Sequence, residues 1–187
     1  MYILEFDGLF QRVQGETDQS SKAGLLGYGW LITRDGVIVA KGHGLFAREK
    51  EATSGVAEYV ALLEGLDALS DLGVHAEMVE VRGDAKFVID QMTGDSEVNS
   101  DIVKPLHRHA RRLARRFHQI DWVWTPRKRN RQADALSRRG LRKFYENPSY
   151  YESAVHAINP DETRKWVSRK FHSLVDLRVY RPAGLRP

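Results

Sequence analysis

The chain has 187 residues and no cysteine. That length gives one domain with a sizeable core and room for an appendage, and the lack of thiols excludes disulfides, thiolate metal sites and cysteine nucleophiles. The formal charge of +4 hides a split: residues 1–103 carry 8 basic and 18 acidic side chains, residues 104–139 carry 12 and 2, and residues 140–187 carry 9 and 5. Acids that gather a cation beside bases that gather an anion fit a metal-dependent enzyme acting on nucleic acid; two surfaces that neutralise each other fit equally well. No apolar run approaches the roughly 20 residues of a membrane span, and the first strand starts too near Met1 to leave room for a signal peptide. A cytoplasmic protein without membrane contact is expected.

Tyr2, Leu4 and Phe6 alternate with Ile3, Glu5 and Asp7, the period of a strand with one apolar face. Asp7 then stands where the apolar strand stops and Gly8 lets the chain turn. A carboxylate there is held by rigid backbone yet reaches solvent, which suits a metal ligand or a general base; on its own it is equally a solvated turn residue. Residues 11–27 are polar, with Gly15, Gly24 and Gly27 but no regular apolar period, and read as a long surface loop. Gly27 to Thr33 reads as the second strand, Asp35-Gly36 as a hairpin turn, and Val37 to Phe46 as the third strand.

Val56, Val60, Leu62, Leu63, Leu66 and Leu69 recur at helical spacing, with Glu64, Asp67 and Asp71 on the other side. Ser54 is the expected N-cap and Gly73 the stop, so Glu58 falls in the first turn, where the macrodipole alone favours an acid. Met78 to Arg82 is the fourth strand. Gly83-Asp84 leads into a short helix ended by Gly94, and Asp84 is either its cap or a second acid at a strand end. The next helix, residues 102–117, carries Leu106, Ala110, Leu113 and Phe117 on one stripe and Arg108, Arg111, Arg112, Arg115 and Arg116 elsewhere. With no acids along it to pair with, phosphate binding explains this basic face better than solvation does.

Ile120, Trp122 and Trp124 share one face of the fifth strand, an arrangement more often core than stacking platform. After Thr125-Pro126 come the basic residues Arg127, Lys128 and Arg129, and then a helix that Asn130 is placed to cap, with Asp134 in its first turn. Asp7, Glu58, Asp84 and Asp134 thus occupy strand ends and helix starts, which lie along one edge of a mixed sheet. Carboxylates without thiols or a histidine pair suit hard divalent cations, Mg²⁺ or Mn²⁺, rather than zinc.

These fragments resemble type 1 ribonuclease H: Phe6-Asp7-Gly8, Gly27-Tyr28-Gly29-Trp30, Ala57-Glu58-Tyr59-Val60-Ala61-Leu62, Val81-Arg82-Gly83-Asp84, and Pro126-Arg127 through Asn130 to Ala133-Asp134-Ala135-Leu136. Each is weak alone; in this order they cover about residues 1–146. The resemblance implies an α/β fold, a five-stranded mixed sheet opening with three antiparallel strands and flanked by helices. It implies that Asp7, Glu58, Asp84 and Asp134 are catalytic and hold two Mg²⁺ ions, Asp7 bridging both, Glu58 and Asp84 completing one site and Asp134 the other. Hydrolysis of the RNA strand of an RNA/DNA hybrid would then leave 5′-phosphate and 3′-hydroxyl ends. Gly8, Ser54, Gly55, Arg111, Arg112, Arg115, Arg127, Lys128, Arg129 and Asn130 are the expected nucleic-acid contacts.

Three features depart from the family. Residues 125–133 contain no histidine where many relatives have one, which places the chain in the branch with Pro-Arg and Asn in this loop. The loop after Asp7 is longer and less glycine-rich than usual, and Ser54-Gly55 stands where relatives often have asparagine; both bear on how strictly an RNA/DNA hybrid is preferred, since the 2′-hydroxyl marks RNA. The alternatives are a non-catalytic module of the same fold that binds hybrid or duplex RNA, and a nuclease of this fold acting on DNA. A monomer or weak oligomer is expected. Residues 147–187 form a basic extension outside the resemblance; Pro148 and Pro160 interrupt it, and a helix from Asp161 carries Trp166, Phe171 and Leu174.

Overall fold

A computed structural model describes residues 1–12, 24–48, 52–146 and 176–179. Strands β1 (Tyr2–Arg12), β2 (Gly24–Arg34) and β3 (Val37–Arg48) form an antiparallel meander. Asp35 and Gly36 both adopt positive φ, as a two-residue hairpin requires. After α1 (Ser54–Asp71), β4 (Met78–Gly83) adds parallel to β1, and after α2 (Lys86–Thr93) and α3 (Val103–Ala114), β5 (Gln119–Trp124) adds parallel to β4. A 3₁₀ turn, Arg127–Arg129, leads into α4 (Arg131–Glu146). The mixed five-stranded sheet flanked by helices is therefore present.

Four details differ from the sequence reading. The chain does not turn at Gly8: β1 runs on to Arg12 and Gln11 pairs with Leu25, so the expected loop gives way at both ends, while residues 13–23 lie outside the described residues. Thr53, not Ser54, caps α1, its hydroxyl accepting from the Val56 N–H at 3.3 Å. Consequently Glu58 sits beyond the first turn of α1. The C-terminal extension contributes a sixth strand, β6 (Asp176–Val179), antiparallel to β3, giving the order β5-β4-β1-β2-β3-β6; the helix expected from Asp161 falls outside the described residues.

Alternation along β2 separates the two faces. Tyr28 and Trp30 enter the core beneath α1, while Leu31 packs with Ala133 and Leu136 of α4 on the opposite face. Helix α1 is buried almost all round because it lies between the sheet and α3; Val56, Val60, Leu62, Leu66 and Leu69 are fully buried. Each such side chain contributes about 1.5–3 kcal/mol. The stripe of Leu106, Ala110, Leu113 and Phe117 is buried as the sequence indicates.

Two glycines let the helices close on β1 and β2. A Cβ on Gly8 would lie 2.2 Å from the Glu58 backbone nitrogen, and one on Gly29 would lie 2.4 Å from that of Ser137. No L side chain fits at either place without moving a helix. Gly8→Ala is expected to destabilise by about 1–3 kcal/mol or more through overpacking, measured by denaturant unfolding. Gly55→Ala, whose added atom would meet nothing closer than 3.6 Å, is expected to be neutral or to stabilise by up to about 1 kcal/mol as a helical Gly→Ala change.

Candidate active site

The pairing of β1 with β4 ends at Phe6 and Gly83, and the next residues of the two strands are Asp7 and Asp84. Where parallel strands part, a carbonyl loses its ladder partner and needs another donor. Asn130 supplies it: its side-chain amide donates to the Phe6 carbonyl and to Asp84 Oδ1, both at 2.8 Å. So Asn130 does not cap α4 with its side chain; it is buried at the seam, and only its backbone carbonyl accepts from the Asp134 N–H. Through the gap, Glu58 arrives from α1. Asp7, Glu58 and Asp84 each offer a carboxylate oxygen, all within 4.8 Å of one another.

Asp7 is 2% exposed, deeper than the solvent-facing strand end read from sequence. Burial pushes its pKa up to about 6; the Ser137 hydroxyl, which donates to Oδ2, opposes that, and the Asp84 and Asp134 charges add to it. Burial drives Glu58 well above the ordinary range, reinforced by Asp7 and Asp84 and resisted by the Gly8 N–H. Glu58 Oε2 is buried without a hydrogen-bond partner. An orphaned buried acceptor beside two more carboxylates fits a hard divalent cation, because the donors are all oxygen and the crowding is unfavourable until positive charge arrives. Asp134 behaves differently: Arg138, at 2.8 Å from Oδ2, and Arg127, on Oδ1, hold its carboxyl below the usual range. Three of the four predicted acids therefore meet as a cluster, while the fourth is close enough to act on Asp7 but is paired with guanidinium groups.

A family described as reverse transcriptase-like matches residues 12–140. Ribonuclease HI of Halobacterium salinarum is 35% identical over 133 residues, covering 70% of this chain and 64% of that protein. The N-terminal RNase H domain of Rv2228c from Mycobacterium tuberculosis is 30% identical, with a TM-score of 0.63 over 78% of this chain and 96% of that one. LC11-RNase H1, solved in complex with RNA/DNA hybrid, is 26% identical, with a TM-score of 0.63 over 76% and 98%. The chain belongs to the type 1 ribonuclease H family. It spans 64% of the length of the Halobacterium protein and 33% of whole Rv2228c.

Among the predicted nucleic-acid contacts, this ribonuclease H family member brings Gly8, Asn130 and Arg127 to the acids, with Ser54 and Gly55 at the start of α1, one turn before Glu58. Lys128 and Arg129 are exposed on the turn that follows β5. Arg111 and Arg115 border a separate groove of about 460 Å³ with Met92, Thr93, Ile120 and Trp122, and Arg112 leans on His109. The sequence reading missed Ser137 and Arg138; both follow Asp134 at one-turn spacing, the signal that could have found them. It also took both tryptophans of β5 as core, whereas Trp124 is 47% exposed and its indole N–H donates to the Asp84 carbonyl at 3.1 Å.

Asp7 makes stability depend on pH in a fixed direction. Its folded-state pKa lies above the ordinary one, so its contribution is fully present below about pH 4 and lost as pH rises through about 6. Asp7→Asn is therefore expected to be more stable than the parent at pH 7.5 in EDTA, by on the order of 2–3 kcal/mol, with the gap closing toward pH 4. Chemical denaturation across that range checks it.

Proposed function

We propose that this protein is an endonuclease that hydrolyses the RNA strand of RNA/DNA hybrids. The observation that carries the reading is the meeting of Asp7, Glu58 and Asp84 from three separate elements, with a Glu58 oxygen left unpartnered; a pure binding module has no need of such a costly cluster. Asp7, Glu58 and Asp84 would hold divalent cations, with Asp134 as the fourth ligand once Arg127 and Arg138 yield it. Bound there, two Mg²⁺ or Mn²⁺ ions supply activation of the attacking water and stabilisation of the leaving 3′-oxygen, so that 5′-phosphate and 3′-hydroxyl ends result.

The chain's own residues do the positioning. Asn130 fixes one oxygen of Asp84, Ser137 fixes one of Asp7, and the Gly8 N–H fixes Glu58. Without a cation, burial and the neighbouring carboxylates keep Asp7 and Glu58 inclined to hold protons, so cation binding releases them. Lys128, Arg129, Arg111, Arg112 and Arg115 would take backbone phosphates, a grip that weakens steeply with salt. The family match over residues 12–140 supports a catalytic unit in residues 1–146 with residues 147–187 as a basic extension.

The deciding assay compares cleavage of labelled RNA/DNA hybrid, duplex RNA and duplex DNA, with Mg²⁺ and with EDTA. Hybrid alone should be cut, and only with the cation. Asp84→Asn and Asp134→Asn should each lose roughly a hundredfold or more in cleavage rate, since several kcal/mol of charge stabilisation is withdrawn, while still binding hybrid. Unchanged hydrolysis by either variant removes that residue from the set; preferential cutting of duplex DNA replaces the substrate assignment.

A further inference from the structure

The groove of about 460 Å³ between the C-terminal ends of α2 and α3 and the first half of β5 stands apart from the acids. Trp122, which lines it, precedes Trp124 by two residues, about 7 Å back along the strand. The apolar part of the lining is the half-buried indole of Trp122 beside Ile120, Met92 and Ala114, and the charged part is Arg111 and Arg115. Arg111 is oriented across the gap between the two helices, its Nη1 donating to the Met92 carbonyl at 3.5 Å. Arg115 is exposed at the C-terminal end of α3. No carboxylate is among the lining residues; Thr93, which is among them, donates through its hydroxyl to Asp95 at 2.7 Å.

Such a hollow makes two demands of an occupant. The guanidinium groups call for an anion, and the indole, thioether and aliphatic surface calls for something flat and apolar. A paired duplex meets the first demand alone, because its bases are stacked inside and its outer surface presents phosphates. An acidic peptide carries its charged and apolar groups on separate side chains. An unpaired nucleotide joins a phosphate and an exposed base within one residue, which is how aromatic and basic side chains together hold single strands. We propose that this groove holds an unpaired nucleotide of a strand that runs on from the hybrid, its base against Trp122 and its phosphate against Arg111 and Arg115. The site rests on the function proposed above and deepens it: a hybrid still flanked by single strand is held more tightly than a blunt one.

The test uses the full chain in EDTA, where fluorescence anisotropy reports binding without cleavage, and compares a blunt RNA/DNA hybrid with the same hybrid carrying a short single-stranded overhang at one end or the other. For the parent an overhang at one of the ends is expected to tighten binding about tenfold, the scale of one base stacked on an aromatic side chain. Trp122→Ala removes the stacking surface, and Ala114→Leu fills the groove with a good helix former while removing no contact. Both should lose the gain and bind the blunt hybrid as the parent does; because Trp122 also packs against the core, Ala114→Leu decides. A gain that persists in Ala114→Leu overturns the proposal, and so does a groove that ignores the overhang and takes an acidic peptide instead. A parent that cuts blunt hybrid but gains nothing from either overhang sinks the groove alone. A parent that holds single strands through Trp122 yet neither binds nor cuts hybrid supports the groove and sinks the proposed function.

Discussion

The site exists because two parallel strands part. Beyond Phe6 and Gly83, β1 continues with β2 on one side and nothing of β4 on the other, while β4 passes into α2. A gap in a sheet leaves backbone groups to be satisfied by something other than a strand. Here Asn130 bridges the Phe6 carbonyl to Asp84, and on the far side the Thr125 N–H donates to the Gly83 carbonyl at 3.0 Å. One amide therefore seals the sheet and orients a carboxylate. Helix α1 presents Glu58 at the same gap because Gly8 has no side chain to keep it away, and α4 presents Ser137 because Gly29 has none.

Around that gap the four acids divide into two kinds. Asp7 and Glu58 are buried, and their charge is disfavoured by desolvation and by neighbouring carboxylates, Asp84 and Asp134 at Asp7 and Asp7 and Asp84 at Glu58. Asp134 is compensated by Arg127 and Arg138, and Asp84 by the Asn130 amide. A site in which all four were compensated would have little use for a cation; one in which none was would strain the fold. The division leaves the deficit of positive charge at Asp7 and Glu58, where the unpartnered oxygen of Glu58 also lies.

Much of this was legible in the sequence, and the misses share a physical origin. Period-2 and helical patterns placed β1, α1, β4, α3 and β5, because the faces they bury are set by side chains that the sequence displays. The order of acids at strand ends and helix starts pointed to the cluster, in which Asp7, Glu58 and Asp84 meet while Asp134 pairs with Arg127 and Arg138. What a sequence does not display is which neighbour a versatile residue chooses. Gly8 reads alike as a turn and as a close approach; Asn130 is as good a cap as a bridge; Thr53 and Ser54 are adjacent and equally able to cap. The long strands β1 and β2 were cut short because Gln11 and Arg12 look like loop until Leu25 and Gly24 are seen opposite them. Trp122 and Trp124 share a strand face, yet burial depends on what covers each end of it, a tertiary property.

The charge arrangement also orders events on the proposed reading. An approaching phosphate would meet the uncompensated carboxylates of Asp7 and Glu58, with Arg127 and Arg138 as the cations nearby, both already acting on Asp7 and engaged by Asp134. Repulsion in so buried a place is weakly screened by salt. Divalent cations reverse the sign of that corner, whereas the exposed Lys128 and Arg129 attract the duplex in either state. On that reading nucleic acid would be held at the rim without them and drawn down onto the acids only with them, which would separate affinity from cleavage by physical location: affinity at the basic residues of α3 and of the turn after β5, and chemistry at the parting of β1 and β4.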